Sequence, residues 1–171
     1  FDADREEVIA KMKEEGLGTI TVGTDYATSV FAVELAEKHD NLFACIGIHP
    51  TDVATEIFEY EKMHELAVHP KVVAIGECGL DYYRCTPETI AKQKEAFIEQ
   101  INLANEFSKP LMLHIRNNPE NKTLNAYSDA LEILKEHLDG ESLPAGRRGD
   151  VHFFAGTLED AKMFVDFGFT L

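Results

Sequence analysis

The chain has 171 residues, with 16 Lys and Arg against 31 Asp and Glu, a formal net charge of −15. That length suits one domain, and 44% hydrophobic with 27% charged residues exclude wholesale disorder. No run approaches the roughly 18 apolar residues of a membrane span, and the acidic balance excludes a broad basic footprint on duplex nucleic acid. A polyanionic substrate stays open only where bound metal ions supply local positive charge.

Residues 4–15 read as a helix, with Gly16 and Gly18 where helix C-caps are expected. A β-rich run follows at 19–22, then a helix over 29–39 with Val30, Val33, Leu35 and Ala36 clustered on one side. Residues 42–48 and 72–75 are the next two strands. Residues 90–107 form a strong helix with Phe97, Ile101, Leu103 and Ala104 as its apolar stripe. Strands at 111–115, 151–154 and 169–171 alternate with helices at 127–137 and 160–167. Polar, Gly- and Pro-bearing stretches at 117–125 and 140–150 read as longer loops.

Strands separated by helices imply parallel pairing, because a parallel neighbour needs a crossover. The nearly continuous apolar strand cores fit strands covered on both faces. A doubly wound sheet and a (β/α) barrel both meet this description. Neither GxGxxG after the first strand nor GxxxxGK[ST] is present, so the phosphate-binding fingerprints of doubly wound folds are missing. Cys45, Cys78 and Cys85 are odd in number and form no CxxC pair. They read as ordinary thiols of a reducing compartment, so a cytoplasmic location is expected, or a nuclear one in a eukaryote.

The polar residues at the strand ends carry the chemistry. Four successive strands run into His49, Glu77, His114 and His152. In a parallel barrel such ends converge on one face, where active sites are built. His and carboxylate groups meeting there are what a divalent metal needs. Glu77 follows five apolar residues, and a buried Glu is rarely tolerated without a partner or a metal. Each histidine taken alone reads more readily as a hydrogen-bonded core residue than as a ligand. His49 precedes Pro50 and so has extended backbone, suited to binding a substrate or to closing a turn. His39, His64, His69 and His137 read as surface residues. Asp81, Tyr82, Tyr83 and Arg84 form a polar-aromatic loop after Glu77. Arg116 is placed to fork a phosphate, or equally to pair with one of the carboxylates.

The blocks GIHP at 47–50, AIGECGLDYYR at 74–84, QKEAFIEQINLA at 93–104, PLMLHIR at 110–116 and HFFAGTLEDA at 152–161 resemble the TatD family of metal-dependent deoxyribonucleases. The resemblance runs from near residue 2 to residue 171 and implies a distorted TIM-type (β/α)8 barrel, with about six of eight strands present as one domain over 1–171. It further implies that catalytic Glu77 bridges two divalent ions, Mg, Mn or Zn, with His114 and His152 ligating one of them. His49, Arg116, Asp81 and Arg84 would then contact substrate at the rim. The implied activity is hydrolysis of DNA, as single strands or 3′ ends, by metal-activated water, with no obligate protein partner.

The family's opening His-x-His strand and its late strand-end Asp have no counterpart in these residues, and the first Met is Met12. The expectation is therefore a chain cut at both ends, holding at most one ion through Glu77, His114 and His152, with little or no turnover. Two further readings stand beside the nuclease. One is a metal-dependent amide or ester hydrolase, such as a deacylase of aminoacylated RNA, because the ligand set does not fix the substrate. The other is an inert relative that acts by binding.

Overall fold

The computed structural model describes residues 3–83 and 85–171. Five parallel strands lie in sequence order in one sheet: β1 (Thr19–Val22), β2 (Leu42–Ile46), β3 (Val72–Asp81), β4 (Leu111–Arg116) and β5 (Gly149–Val151). Helices α1 (Arg5–Glu14), α2 (Tyr26–Lys38), α3 (Tyr60–Ala67), α4 (Pro87–Phe107), α5 (Ala126–His137) and α6 (Leu158–Asp166) alternate with them. An unbroken 1-2-3-4-5 order with a helix at each crossover is an arc of a (β/α) barrel. A doubly wound sheet would reverse its strand order part-way.

Local chemistry sets the helix starts. Asp25 with Thr28, Thr86 with Thr89, and Thr157 with Asp160 form capping boxes at the heads of α2, α4 and α6. Pro87 occupies the first turn of α4, where its missing N–H costs nothing. Each box ties down a loop leaving the C-terminal ends of the strands, the side that carries the site. The main core lies between sheet and helices: Phe97, Ile101, Leu103 and Ala104 of α4 are sealed against Ile75, Leu80, Leu111 and Leu113. A second, small cluster of Cys45, Ala74 and Met112 forms separately.

Three expectations need correction. The run at 169–171 is no full strand: Thr170 makes a single parallel bridge to Asp150. The fifth strand is Gly149–Val151 rather than 151–154, because the chain turns at His152 and Phe153 takes a left-handed φ of 50° that no ladder accepts. The third strand is much longer than 72–75. It continues through Glu77 to Asp81, so Glu77 lies inside a strand rather than at its end, and Asp81 is strand rather than loop. Among the described residues no helix is long and apolar enough to cross a membrane.

Candidate metal centre

The site begins with how β3 passes β4. Pairing runs Ile75 to Leu111 and Gly76 to Met112, then resumes at Cys78 with Leu113, so Glu77 is an extra, bulged residue. A bulge re-aims a side chain that regular alternation would send elsewhere. The flanking glycines make the passage feasible. Gly76 has φ +147° and Gly79 φ +133°, and a Cβ at either would lie 2.3 Å from a β4 carbonyl oxygen, that of Met112 or His114. Glycine alone fits both positions. The G-E-C-G pattern is thus a device for presenting Glu77 beside His114.

His114 is held between two carboxylates. Its Nδ1 lies 3.3 Å from Glu77 Oε1 and its Nε2 lies 2.9 Å from Asp81 Oδ2. Asp81 is buried, and its other oxygen accepts the Tyr83 N–H at 2.9 Å. His49, at the end of the segment continuing β2, packs its ring edge-on to His114 with centroids 4.3 Å apart. Its Nδ1 lies 2.7 Å from Thr51 Oγ1 and 3.2 Å from the Thr51 amide. The Thr51 amide N–H donates to Nδ1, so in the neutral ring Nδ1 is the acceptor and Nε2 carries the hydrogen. Ligand atoms of His49, Glu77 and His114 all lie within 4.8 Å of one another.

The protonation of these groups fits a cation site. Burial, then the neighbouring His114, pushes the His49 pKa down, which favours the neutral imidazole a metal requires. The His114 hydrogen bond, against the pull of burial, holds the Glu77 pKa below its ordinary value. Burial raises the Asp81 pKa, but hydrogen bonds from His114 and the Tyr83 amide outweigh it and the net shift is downward. His114 itself would be lowered by burial, yet its bonds to Asp81 and Glu77 lift it to about 9. Without an ion it is an imidazolium clamped by two carboxylates, and a bound cation would take over the role of its proton. Two imidazoles and a carboxylate on strand-anchored backbone, with Asp81 behind one imidazole, are a donor set suited to a divalent ion.

The other predicted site residues scatter around this centre. His152 is exposed and outside the three-residue group, although its backbone N–H donates to Leu113 O at 2.8 Å, beside His114. Its charge adds a small downward influence on Glu77. Arg116 is exposed and stacks on Tyr83 with its guanidinium carbon 3.9 Å from the ring centre. Arg116 and Tyr83 line a cavity of about 620 Å³ next to the centre, together with Pro50, Thr51 and Asp81. Arg84 lies outside the described residues. Sequence reasoning missed Thr51, Gln93 and Gln100. The two glutamines could have been found as polar residues seven apart on the same helix face as Phe97. His39, His64, His69 and His137, read as surface residues, each face a carboxylate away from the centre: Glu6, Glu106, Glu37 and Glu136.

A parallel barrel arc with His, Glu and His gathered above its strands defines the class: a TIM-barrel-like α/β protein carrying a candidate metal centre. Within that class, the family model described as TatD-related DNase matches residues 1–171, and the chain belongs to that family. The family is one of metal-dependent hydrolases. The chain is 39% identical to the uncharacterized metal-dependent hydrolase YabD of Bacillus subtilis, matching 100% of this chain and 62% of that protein. It is 35% identical to the 3'-5' ssDNA/RNA exonuclease TatD of Shigella flexneri, over 96% and 59% of the two chains. The crystal structure of YJJV, a TatD homologue from Escherichia coli K12, matches with a TM-score of 0.80 at 29% identity, covering 99% of this chain and 61% of that one. The chain therefore spans about 60% of the length of these relatives.

Proposed function

We propose that this protein is a metal-dependent nuclease that hydrolyses phosphodiester bonds in single-stranded DNA from the 3′ end. The observation that carries the reading is the Glu77–His114–His49 cluster, within 4.8 Å on the C-terminal side of a barrel arc. The names of the relatives supply the substrate class. In this reading Glu77 would be the catalytic carboxylate and would hold divalent ions, drawn from Mg, Mn or Zn, together with His114. His152, exposed at the next strand end, would be a further ligand. A bound divalent ion lowers the pKa of its water and offsets charge on the phosphate under attack.

The chain's own residues do the rest. Asp81 takes one nitrogen of His114 and so fixes which nitrogen faces Glu77. His49, next to Pro50 and Thr51 of the cavity lining, serves as a ligand or a contact to the phosphate. Arg116, braced flat on Tyr83, presents its donors to a phosphate oxygen, and Arg84 is proposed as a further substrate contact. Local cations and ions thereby admit a polyanion to a chain of net charge −15.

The test is release of nucleotides from a 3′-labelled single-stranded oligonucleotide, with RNA and a panel of esters and amides in parallel. Weak divalent-ion-dependent DNA cleavage that disappears in Glu77→Gln is expected. Turnover of esters or amides with DNA untouched would overturn the substrate, and binding of DNA without any turnover would favour an inert relative.

A further inference from the structure

Pairing between β2 and β3 stops at Ile46 with Ile75, whereas β3 stays paired with β4 as far as Asp81 with Arg116. Beyond that point Ile48 and Asp81 have amides and carbonyls with no strand facing them. Both residues are buried, and buried main-chain polar groups need partners. Two side chains of α4 supply them. Gln100 Oε1 accepts the Ile48 N–H at 2.8 Å while its Nε2 donates to the Ile48 carbonyl at 3.2 Å. Gln93 Oε1 accepts the Asp81 N–H at 2.9 Å while its Nε2 donates to the Asp81 carbonyl at 2.9 Å. Gln93 is 4% exposed and Gln100 1%, on either side of the sealed Phe97 ring.

A third clamp has the same form. Ser29 Oγ of α2 accepts the Gly47 N–H at 3.2 Å and reaches the Gly47 carbonyl at 3.4 Å. The buried polar side chains among the described residues are Ser29, Asp81, Gln93, Gln100 and Asp160. Three of the five are therefore clamps on backbone next to, or part of, the centre. A longer β2–β3 ladder would satisfy the Ile48 and Asp81 groups without burying two glutamines, whereas Gly47, like Cys45 and His49, turns its main-chain groups toward β1. His49, one residue past the Ile48 clamp, and Asp81, whose own backbone is clamped, are the two residues that flank His114.

We propose that Gln93 and Gln100 are positioning residues. They replace the β2–β3 ladder and set the separation at which His49 and Asp81 flank His114. The proposal rests on the metal reading only for its consequence, not for its geometry. The control is in the same helix. Asn105 makes an equivalent two-way clamp, donating to His137 O at 2.8 Å and accepting from Asp139 N at 3.0 Å, far from the centre.

The experiment compares Gln93→Met, Gln100→Met and Asn105→Leu in the full chain, under conditions where each remains folded by circular dichroism. Urea midpoints report stability, ring proton NMR of His49 and His114 without metal reports the geometry, and calorimetry with Mn²⁺ alone reports ion binding. All three variants should lose stability. Only the glutamine variants should shift both histidine ring resonances and weaken Mn²⁺ binding about tenfold, as loss of support behind metal ligands commonly does. Unshifted ring resonances in the glutamine variants at equal loss of stability would overturn the proposal. So would an equal shift in Asn105→Leu. The ring spectra need no ion, so they decide the positioning role even where Mn²⁺ fails to bind and the metal reading falls.

Discussion

The two rims of the sheet handle charge in opposite ways. At the N-terminal rim three cations are absorbed by carbonyl groups where helices end and strands begin. Lys71, just before β3, donates to the carbonyls of His39, Asp40 and Leu42 at 2.9, 3.1 and 3.1 Å. Lys109, before β4, donates to Ala67 and His69, and Arg148, before β5, to Leu143 and Phe167. Cations at helix C-termini complete orphan carbonyls and oppose the helix dipole. At the C-terminal rim the pattern inverts. Glu77 and Asp81 converge there with only His114 between them, at 3.3 and 2.9 Å. The net charge of −15 is therefore uneven in its consequences: one rim is neutralised by its own lysines and arginine, and the other keeps a carboxylate surplus that a cation can satisfy.

The sharpest way to break this contrast is Glu77→Gln. It keeps the shape of the side chain but removes the charge from the centre, and divalent-ion binding should weaken at least roughly 100-fold. Stability without metal should fall modestly, because the His114 bond outweighs the burial cost of the Glu77 carboxylate and that net gain is lost. Calorimetry beside urea denaturation checks both; an unchanged affinity would remove Glu77 from the centre.

The pH response should separate the rims next. The folded pKa of His114, about 9, lies above its ordinary 6.5. Its bonds therefore stabilise the metal-free fold fully below about pH 6.5, and that contribution is lost as pH rises through about 9. A loss on the order of 1–3 kcal/mol between about pH 6 and 9.5 is expected from urea midpoints. His114→Gln should flatten the curve. An unflattened curve in that variant would place the titration elsewhere.

A smaller effect is expected from Lys71→Met at the N-terminal rim. Three carbonyls lose a charged donor, although water can reach part of the site, and the cost should be about 1–2 kcal/mol. Ion affinity should stay within about twofold of wild type, as expected for distant, independent sites. A variant that loses ion binding in step with stability would show that the two rims are coupled through the sheet rather than independent.

Much of this contrast is legible in the chain, but unevenly. The alternation of strands and helices is readable because α4 carries Phe97, Ile101 and Ala104 at helical spacing and the strand cores are continuous apolar runs. The residues of the centre are readable as polar types ending apolar runs, and Glu77 and His114 do meet. Features set by register are not readable. A one-residue bulge makes Glu77 an interior strand residue, and Asp81 becomes the partner of His114 only because β3 runs on well past the point where β2 leaves it. His49 reads as a substrate contact or a turn residue, since nothing near Pro50 betrays that His114 lies 4.3 Å away. The clamps escape for a related reason: glutamine on a helix normally reads as solvent-facing, and only tertiary burial reveals its backbone partners.

The smallest effect belongs to the edge of the acidic rim. Arg116 is exposed and rests on Tyr83 rather than on a carboxylate, so among the described residues it is a cation of this rim that does not close the fold. Arg116→Ala should leave stability within about 0.5 kcal/mol of wild type, as surface substitutions usually do. On a single-stranded oligonucleotide it should raise KM about three- to tenfold with kcat little changed, since the lost contact is made equally to substrate and transition state. Arg116→Lys should recover only part of this, because a point charge cannot fork a phosphate or lie flat on an aromatic ring. Full recovery by lysine would reduce Arg116 to a source of positive potential. An unchanged KM in both variants would mean the nucleic acid enters by another side of the centre, and the 620 Å³ cavity beside Tyr83 would then lie off its path.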